Sequence, residues 1–497
     1  MQRKEVMAKR SEGARLDGAR SVSTRGVASS GSTFSRGLVI LVGFANKAFT
    51  ETNANFTNLL NQQGYSYNGA TGSAKDHYRD CSYGEFDPVF DVYGPYTLDR
   101  NMGYYGSNGY SGSDQHPDQM VVDAVAKLCA AEGDTILKRY DCDNDGYVDN
   151  VFVYYAGYAE SSGAPDSTIW PHRYWVMQGY VSGKRTYAGK TIYDYACSSE
   201  YDGTSGAKRT GIGAFTHEFS HVLGLPDLYD TEYSYTHYTP GEWDIMDAGC
   251  YNNNENTPPA YSSEARFYVG WLTPTVLNQA GTYTLECLSD TAQAYLISAT
   301  GSHNLKGDNP NPKNYYLFEN RQQRGWDAYL PGHGMLVWKI QYSSSKWEGN
   351  TVNNSKNSLG CNIVSAKNPT STAYRSSYGE AYDPFPGTKK VTSYTPITGY
   401  DLTNIAESSG VISFTLGAPA GVEDASVMGE IIMFSTDGEY YTVDNIPENA
   451  TLRCFDAMGR MLWSAENVES TYTFSNGREV FFLQIQAGGK TTTLKGI

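Results

Sequence analysis

The sequence predicts a multidomain α+β protein: an α/β domain over residues 36–274, a β-sandwich-like domain over 275–418, and a small C-terminal β-sandwich over 424–497. Three observations carry this. Up to about residue 270, apolar runs of strand length alternate with stretches of helical spacing. After Trp271 the chain turns to short alternating runs separated by turn residues, with no further helical pattern. A linker, APAGVEDAS, then leads to a last set of such runs.

Residues 1–35 are basic, rich in Ser and Gly and aperiodic, and read as a disordered arm or the remnant of a propeptide. GLVILVGF at 37–44 is a strand buried on both faces. A helix is expected around 53–63, and GEFDPVFDVYGPYTL at 84–98 reads as a strand and turn. Residues 117–133 place Met120, Val121, Ala124, Val125 and Leu128 at helical spacing, with Pro117 suited to the first turn. VFVYYAG at 151–157 is a second buried strand. Beyond 275, GTYTLECL, AYLISAT, NYYLFEN, GMLVWKI and GVISFTLG supply the strands of the second domain.

Composition narrows the function classes. The net charge is −16, against a nucleic-acid partner. No run reaches 18 apolar residues, so no membrane span is expected. The charged N-terminus lacks the apolar core of a signal peptide. Eight cysteines occur without a CxxC pair, which argues against a cysteine-based metal knuckle and specifies no disulfide pairing.

THEFSHVLGLPD, residues 216–227, carries the chemistry. Positions i and i+4 share a helix face, so His217 and His221 can present two imidazoles to one zinc ion, with Glu218 beside them as a base. Ile212, Phe215, Phe219, Val222 and Leu223 give the helix an apolar flank. Gly224 ends such a helix and Pro226 cannot continue it, so the chain turns and delivers Asp227 six residues after His221. This is metzincin-like spacing with Asp as the third ligand. Downstream, EWDIMDAGCY offers a methionine turn at Met246, with Gly249 permitting the bend. Tyr251 is a further residue that can lean toward the site. Glu242 and Glu232 stay open as third ligands, with His172 and His237 as outside alternatives; Pro240 and Gly241 speak against a helix at Glu242. YDCDNDGYVDN at 140–150 places Asp141, Asp143, Asp145, Tyr147 and Asp149 at the first nine offsets of a calcium loop, without the glutamate at position 12 and with a strand following.

HEFSHVLGLPDLYD, WDIMDAG, DCDNDGYVDNVFVYYAG and TIWPH together resemble the immune inhibitor A family of secreted metallopeptidases, as does ENRQQRGWDAYLPGHGMLVWKI at 319–340. The resemblance covers residues 36 to 415. It implies a secreted zinc endopeptidase made as a zymogen, with bound calcium, protein or peptide substrates, His217 and His221 as ligands, Glu218 as the base acting on zinc-bound water, and Asp227 as third ligand. ATLRCFDAMGRMLWSA and the final GREVFFLQIQAGGKTTTLKGI resemble the sorting domain of type IX secretion, which implies recognition by secretion machinery and a secreted or cell-surface location. The alternative reading is a surface adhesin or glycan-binding protein with an inactive protease-like domain, favoured by 41 tyrosines and 8 tryptophans.

Overall fold

The structure, a computed structural model, describes residues 34–109, 112–234, 237–369, 380–417, 431–435, 440–447, 449–475, 480–487 and 490–496. The expected arm lies outside the described residues up to position 33, as does the linker at 418–426. Phe34, assigned to that arm, is instead buried, with its ring 5.2 Å from Phe219. The chain forms two compact units that divide after Gly417.

The first unit begins with a sheet of β1 (Arg36–Gly43), β2 (Val89–Thr97), β3 (Val151–Tyr158), β4 (His172–Trp175) and β7 (Asp194–Tyr201); a hairpin of β5 (Arg185–Tyr187) and β6 (Lys190–Ile192) stands apart. The order is β2-β1-β3-β7-β4, parallel except for the edge strand β4. Both faces are covered, which explains the unbroken apolar runs. Val39, Leu41, Phe152 and Tyr154 face one cluster, while Leu38, Ile40, Val151 and Val153 face the other. The helix Pro117–Glu132 covers the second face with Met120, Val121, Ala124, Val125 and Leu128. The first face carries the helices Asn53–Asn61, Ala74–Cys81 and Gly213–Val222.

Eight strands follow: β8 (Thr275–Val276), β9 (Gly281–Leu285), β10 (Tyr295–Ser298), β11 (Asn314–Arg321), β12 (Gly334–Gln341), β13 (Cys361–Val364), β14 (Leu402–Ser408) and β15 (Val411–Leu416). They make sheets of order β13-β12-β11-β10-β8 and β14-β15-β9. Ile297, Phe318 and Val337 pack with Leu285, Ile412 and Phe414 of the smaller sheet. Their sequence neighbours Leu296, Leu317 and Leu336 point the other way, as strand alternation requires, and join the cluster that holds Phe215 and Phe219. Residues on either side of the expected boundary at 274 therefore share one core.

A buried ionic network crosses that same boundary. Arg321, on β11, is fully buried. It donates to Asp327 (2.8 Å), Glu319 (3.1 Å) and the Ala260 carbonyl (2.9 Å). Glu319 accepts from the Ser263 amide (2.5 Å), and Asp327 from the Ala260 amide (3.0 Å). Nearby, burial pushes the Glu264 carboxyl up to about 8, and Asp244 and Glu319 add to the shift.

The second unit has sheets β16-β17-β20 and β19-β18-β21-β22, from β16 (Ile432–Ser435), β17 (Tyr440–Asp444), β18 (Ala450–Asp456), β19 (Met461–Val468), β20 (Thr471–Ser475), β21 (Phe481–Ala487) and β22 (Lys490–Gly496). Val443, Leu452, Phe474 and Leu483 share its core. The run DAMGR, residues 456–460, is the β18–β19 turn. Asp456 accepts from the amides of Met458 and Arg460 (2.9 Å each) and from the Arg460 guanidinium (2.7 Å).

Arg321→Ala strands Glu319 and Asp327 without their cation and lowers stability by about 3–5 kcal/mol, read by chemical denaturation. Glu264 has a folded pKa raised above its unfolded value, so its contribution is fully present below about pH 4.5 and is lost as pH rises through about 8. Glu264→Gln therefore matches the parent near pH 4 and exceeds it in melting temperature at pH 9; equal melting temperatures at pH 9 exclude this linkage.

Candidate metal centre

The helix Gly213–Val222 presents the histidines as the spacing predicts. His217, Glu218 and His221 each bring one ligand atom within 4.8 Å of the others. Phe215 and Phe219, on the opposite flank, stack nearly parallel at 5.9 Å and anchor the helix in the core. Gly213 lies so close to the Cys250 carbonyl that a Cβ would sit 1.8 Å from it, which holds the start of this helix against the 248–251 turn. At the other end Gly224 takes a φ of +92°, and the Leu225 amide returns to Ser220 O at 3.0 Å.

That turn does two things. It brings the Leu225 carbonyl to His221 Nδ1 at 2.8 Å, and it carries Asp227 back to the rings. Asp227 Oδ1 lies 3.1 Å from His217 Nε2 and 3.3 Å from His221 Nε2. His217 Nδ1 donates to the Ile245 carbonyl at 2.7 Å. Both Nδ1 atoms are thus committed, and both Nε2 atoms face one carboxylate oxygen. That oxygen is buried and has no hydrogen bond of acceptable geometry. Burial disfavours charge on His217, but Asp227 and Cys250 outweigh it and hold the imidazolium well above its usual range. Burial likewise opposes ionisation of Asp227, and the two histidines reverse this, keeping the carboxyl well below its usual range. The donor set, two neutral-capable nitrogens and one carboxylate around an orphaned oxygen, fits a zinc ion.

The turn that carries Met246 meets the histidine helix through the Ile245 carbonyl. Met246 is buried; its amide donates to Asp244 at 2.8 Å and its carbonyl accepts from Leu228 at 2.8 Å. Gly249 donates to Asp244 O at 3.0 Å, closing the bend. The hydrogen bonds from this turn to the site run through the main chain of Ile245 and Met246. His221, Gly224 and Leu225 line a pocket with Arg173 and Trp175 of the edge strand β4.

The alternatives fall elsewhere. His172 bonds to Trp170 O (2.6 Å) and Tyr195 OH (2.8 Å), and His237 to Asn353 O (2.5 Å). Glu232 is exposed, and Glu242 sits in a short 3-10 turn. Tyr251 closes the 248–251 turn.

In the acidic loop, Asp141, Asp143 and Asp149 bring ligand atoms within 4.8 Å of one another. The loop's own amides also close it: the Asp145 amide donates to Asp141 and Asp143 (3.0 Å each), and the Tyr147 amide to Asp145 (2.8 Å). Burial pushes Asp149 up to about 6. Lys190, from the β5–β6 hairpin, forms an ion pair with Asp141. Sequence reasoning missed this lysine, because nothing local to 140–150 points to a cation 49 residues away. It also missed Asn350, whose side chain bonds both the amide and the carboxylate of Asp227.

Residues 44–271 match the catalytic-domain model of the immune inhibitor A peptidases, family M6. The pre-pro-metalloprotease PrtV of Vibrio cholerae serotype O1 is 27% identical over 239 residues, covering 42% of this chain and 25% of that protein. Immune inhibitor A of Bacillus thuringiensis subsp. alesti is 26% identical over 282 residues, covering 46% of this chain and 38% of the relative. The chain therefore spans between a quarter and two fifths of these relatives' lengths. A solved chain from a study of PorZ, a type IX secretion component of Porphyromonas gingivalis, aligns at 10% identity with a TM-score of 0.13, covering 37% of this chain and 21% of that one, and carries no argument. The histidine helix thus lies inside a segment that is similar to the catalytic domain of the immune inhibitor A metallopeptidases.

Proposed function

We propose that the protein is a secreted zinc-dependent endopeptidase. The observation that carries this reading is the grouping of His217, Glu218 and His221 on one buried helix, with Asp227 Oδ1 against both imidazoles. His217, His221 and Asp227 would hold the ion. When bound there, zinc supplies Lewis acidity, making water a better nucleophile and steadying negative charge on a carbonyl oxygen. The Ile245 and Leu225 carbonyls fix the tautomer of each histidine and leave Nε2 free to coordinate. Glu218, only 4% exposed, takes the proton from the attacking water and passes it to the leaving amine. The edge position of β4, with Arg173 and Trp175 beside His221, suits an extended peptide laid along that strand.

Glu218→Gln is expected to keep zinc stoichiometry and melting temperature while casein cleavage falls about 10²- to 10⁴-fold. Cleavage near the parental rate in that variant sinks the mechanism, and chelator-insensitive cleavage by the parent sinks the metal.

Calcium at Asp141, Asp143 and Asp149 would tie the 141–149 loop to the start of β3. The Lys190 ammonium already neutralises part of this charge, so calcium must compete with it. Calcium at 100 times its dissociation constant is expected to stabilise the parent by about 2.7 kcal/mol. Asp143→Ala removes that increment and Lys190→Met enlarges it, both read by thermal melts with and without calcium; a parent indifferent to calcium refutes the site. The second unit, with its Asp456–Arg460 turn, is assigned to recognition by secretion machinery on the strength of its sequence resemblance alone.

A further inference from the structure

Beyond the matched catalytic segment, one stretch of the β-rich region reaches into the metal centre. Residues 350–354, NTVNN, connect the short helix Ser344–Glu348 to the segment leading into β13. Three asparagines in it grip the loop that carries Asp227. Asn350 Oδ1 accepts from the Asp227 amide at 2.7 Å, and Asn350 Nδ2 donates to Asp227 Oδ2 at 2.7 Å. Fully buried Asn353 donates to the carbonyls of Leu228 and Cys361, 2.7 Å each. Asn354 Oδ1 accepts from the Thr231 amide at 3.1 Å and its hydroxyl at 3.0 Å. Asn350 sits at φ 53°, in the left-handed region that asparagine tolerates better than most side chains.

We infer that Asn350 is a positioning residue for the metal centre, and that the 350–354 segment is the cradle of its third-ligand loop. This rests on the reading of Asp227 as a zinc ligand. The geometry divides the carboxylate between two tasks. Oδ2 is held by the Asn350 amide, and Oδ1 is left facing both Nε2 atoms. A neutral amide suits this role better than lysine or arginine would. It fixes the carboxylate plane without cancelling the charge that Oδ1 presents to the ion, as partners behind metal ligands commonly do. The site is therefore completed by a residue 123 positions downstream of its ligand, outside the 44–271 segment that defines the family's catalytic domain.

The test uses the full chain in three variants. Asn350→Gly removes the amide while keeping the left-handed backbone accessible. Asn350→Asp is isosteric, retains the acceptor for the Asp227 amide and loses the donor to Oδ2. Asp227→Ala is the reference. Zinc affinity is read by competition with a chromophoric chelator, and the fold by the melting temperature of the zinc-free protein. Both Asn350 variants are expected to bind zinc about 10- to 100-fold more weakly, and Asn350→Asp, which sets a second carboxylate against Asp227, is expected to melt below the parent when zinc-free while remaining folded. Should the glycine variant fail to fold, the isosteric variant decides. Affinities within twofold of the parent in the Asn350 variants, while Asp227→Ala loses zinc, overturn the positioning role. Parental affinity in Asp227→Ala overturns instead the ligand reading on which it rests.

Discussion

A carboxylate buried to 2% exposure beside a large apolar cluster is the constraint around which this site is organised. An ionised group there costs several kcal/mol unless its lone pairs are met. Asp227 accepts from Asn350 on one oxygen and faces two imidazoles as countercharge on the other, and its own amide is tied to the same asparagine. Each imidazole in turn needs its Nδ1 satisfied, which calls in the carbonyls of Ile245 and Leu225. Ile245 can serve only because Asp244 and Gly249 bend the chain beneath the helix, and Leu225 only because Gly224 ends the helix in a left-handed turn. Polar satisfaction propagates outward from one side chain until it has fixed a helix, a turn and a loop.

The same logic explains why the β-rich region cannot be a detachable appendage. Its five-stranded sheet contributes Leu296, Leu317, Leu336 and Trp338 to the cluster that seats the histidine helix. Arg321 reaches back to the Ala260 carbonyl, and Glu319 and Asp327 cap the amides of Ser263 and Ala260. A buried guanidinium needs this full set of partners, so any slippage between 258–268 and β11 leaves charge unpaired.

Much of this was legible locally. The runs at 37–44 and 151–157 and the period of 117–132 encode elements whose burial is set by their own neighbours, and β1, β3 and the Pro117 helix appear where they were read. Gly224 and Pro226 announced the turn that returns Asp227, because a positive φ is a local property. Long-range pairing left no such trace. Nothing local to NTVNN marks its contacts, and only the fold reveals that its amides meet a loop 123 residues earlier. The change of pattern at Trp271 was real, yet it marked a change of secondary structure within one core. Strand alternation cannot tell whether a sheet's second face meets solvent or a helix from elsewhere in the chain.

The two acidic groups of the first unit show how differently a fold can answer buried negative charge. Asp141 receives a lysine ammonium from a neighbouring hairpin and the amides of Asp145 and Gly146, so its loop is closed by the chain's own groups. Asp227 receives no lysine or arginine among the described residues; its countercharge comes from two rings whose outer nitrogens are already spoken for. Evolving a lysine at that point would have stabilised the loop and filled the space between the rings. The chain instead uses a neutral asparagine behind the carboxylate and leaves the front to a shared positive charge, a proton or a metal ion. Of the two clusters, the Asp141 loop already holds a cation of the chain's own, and the Asp227 oxygen faces only the two rings.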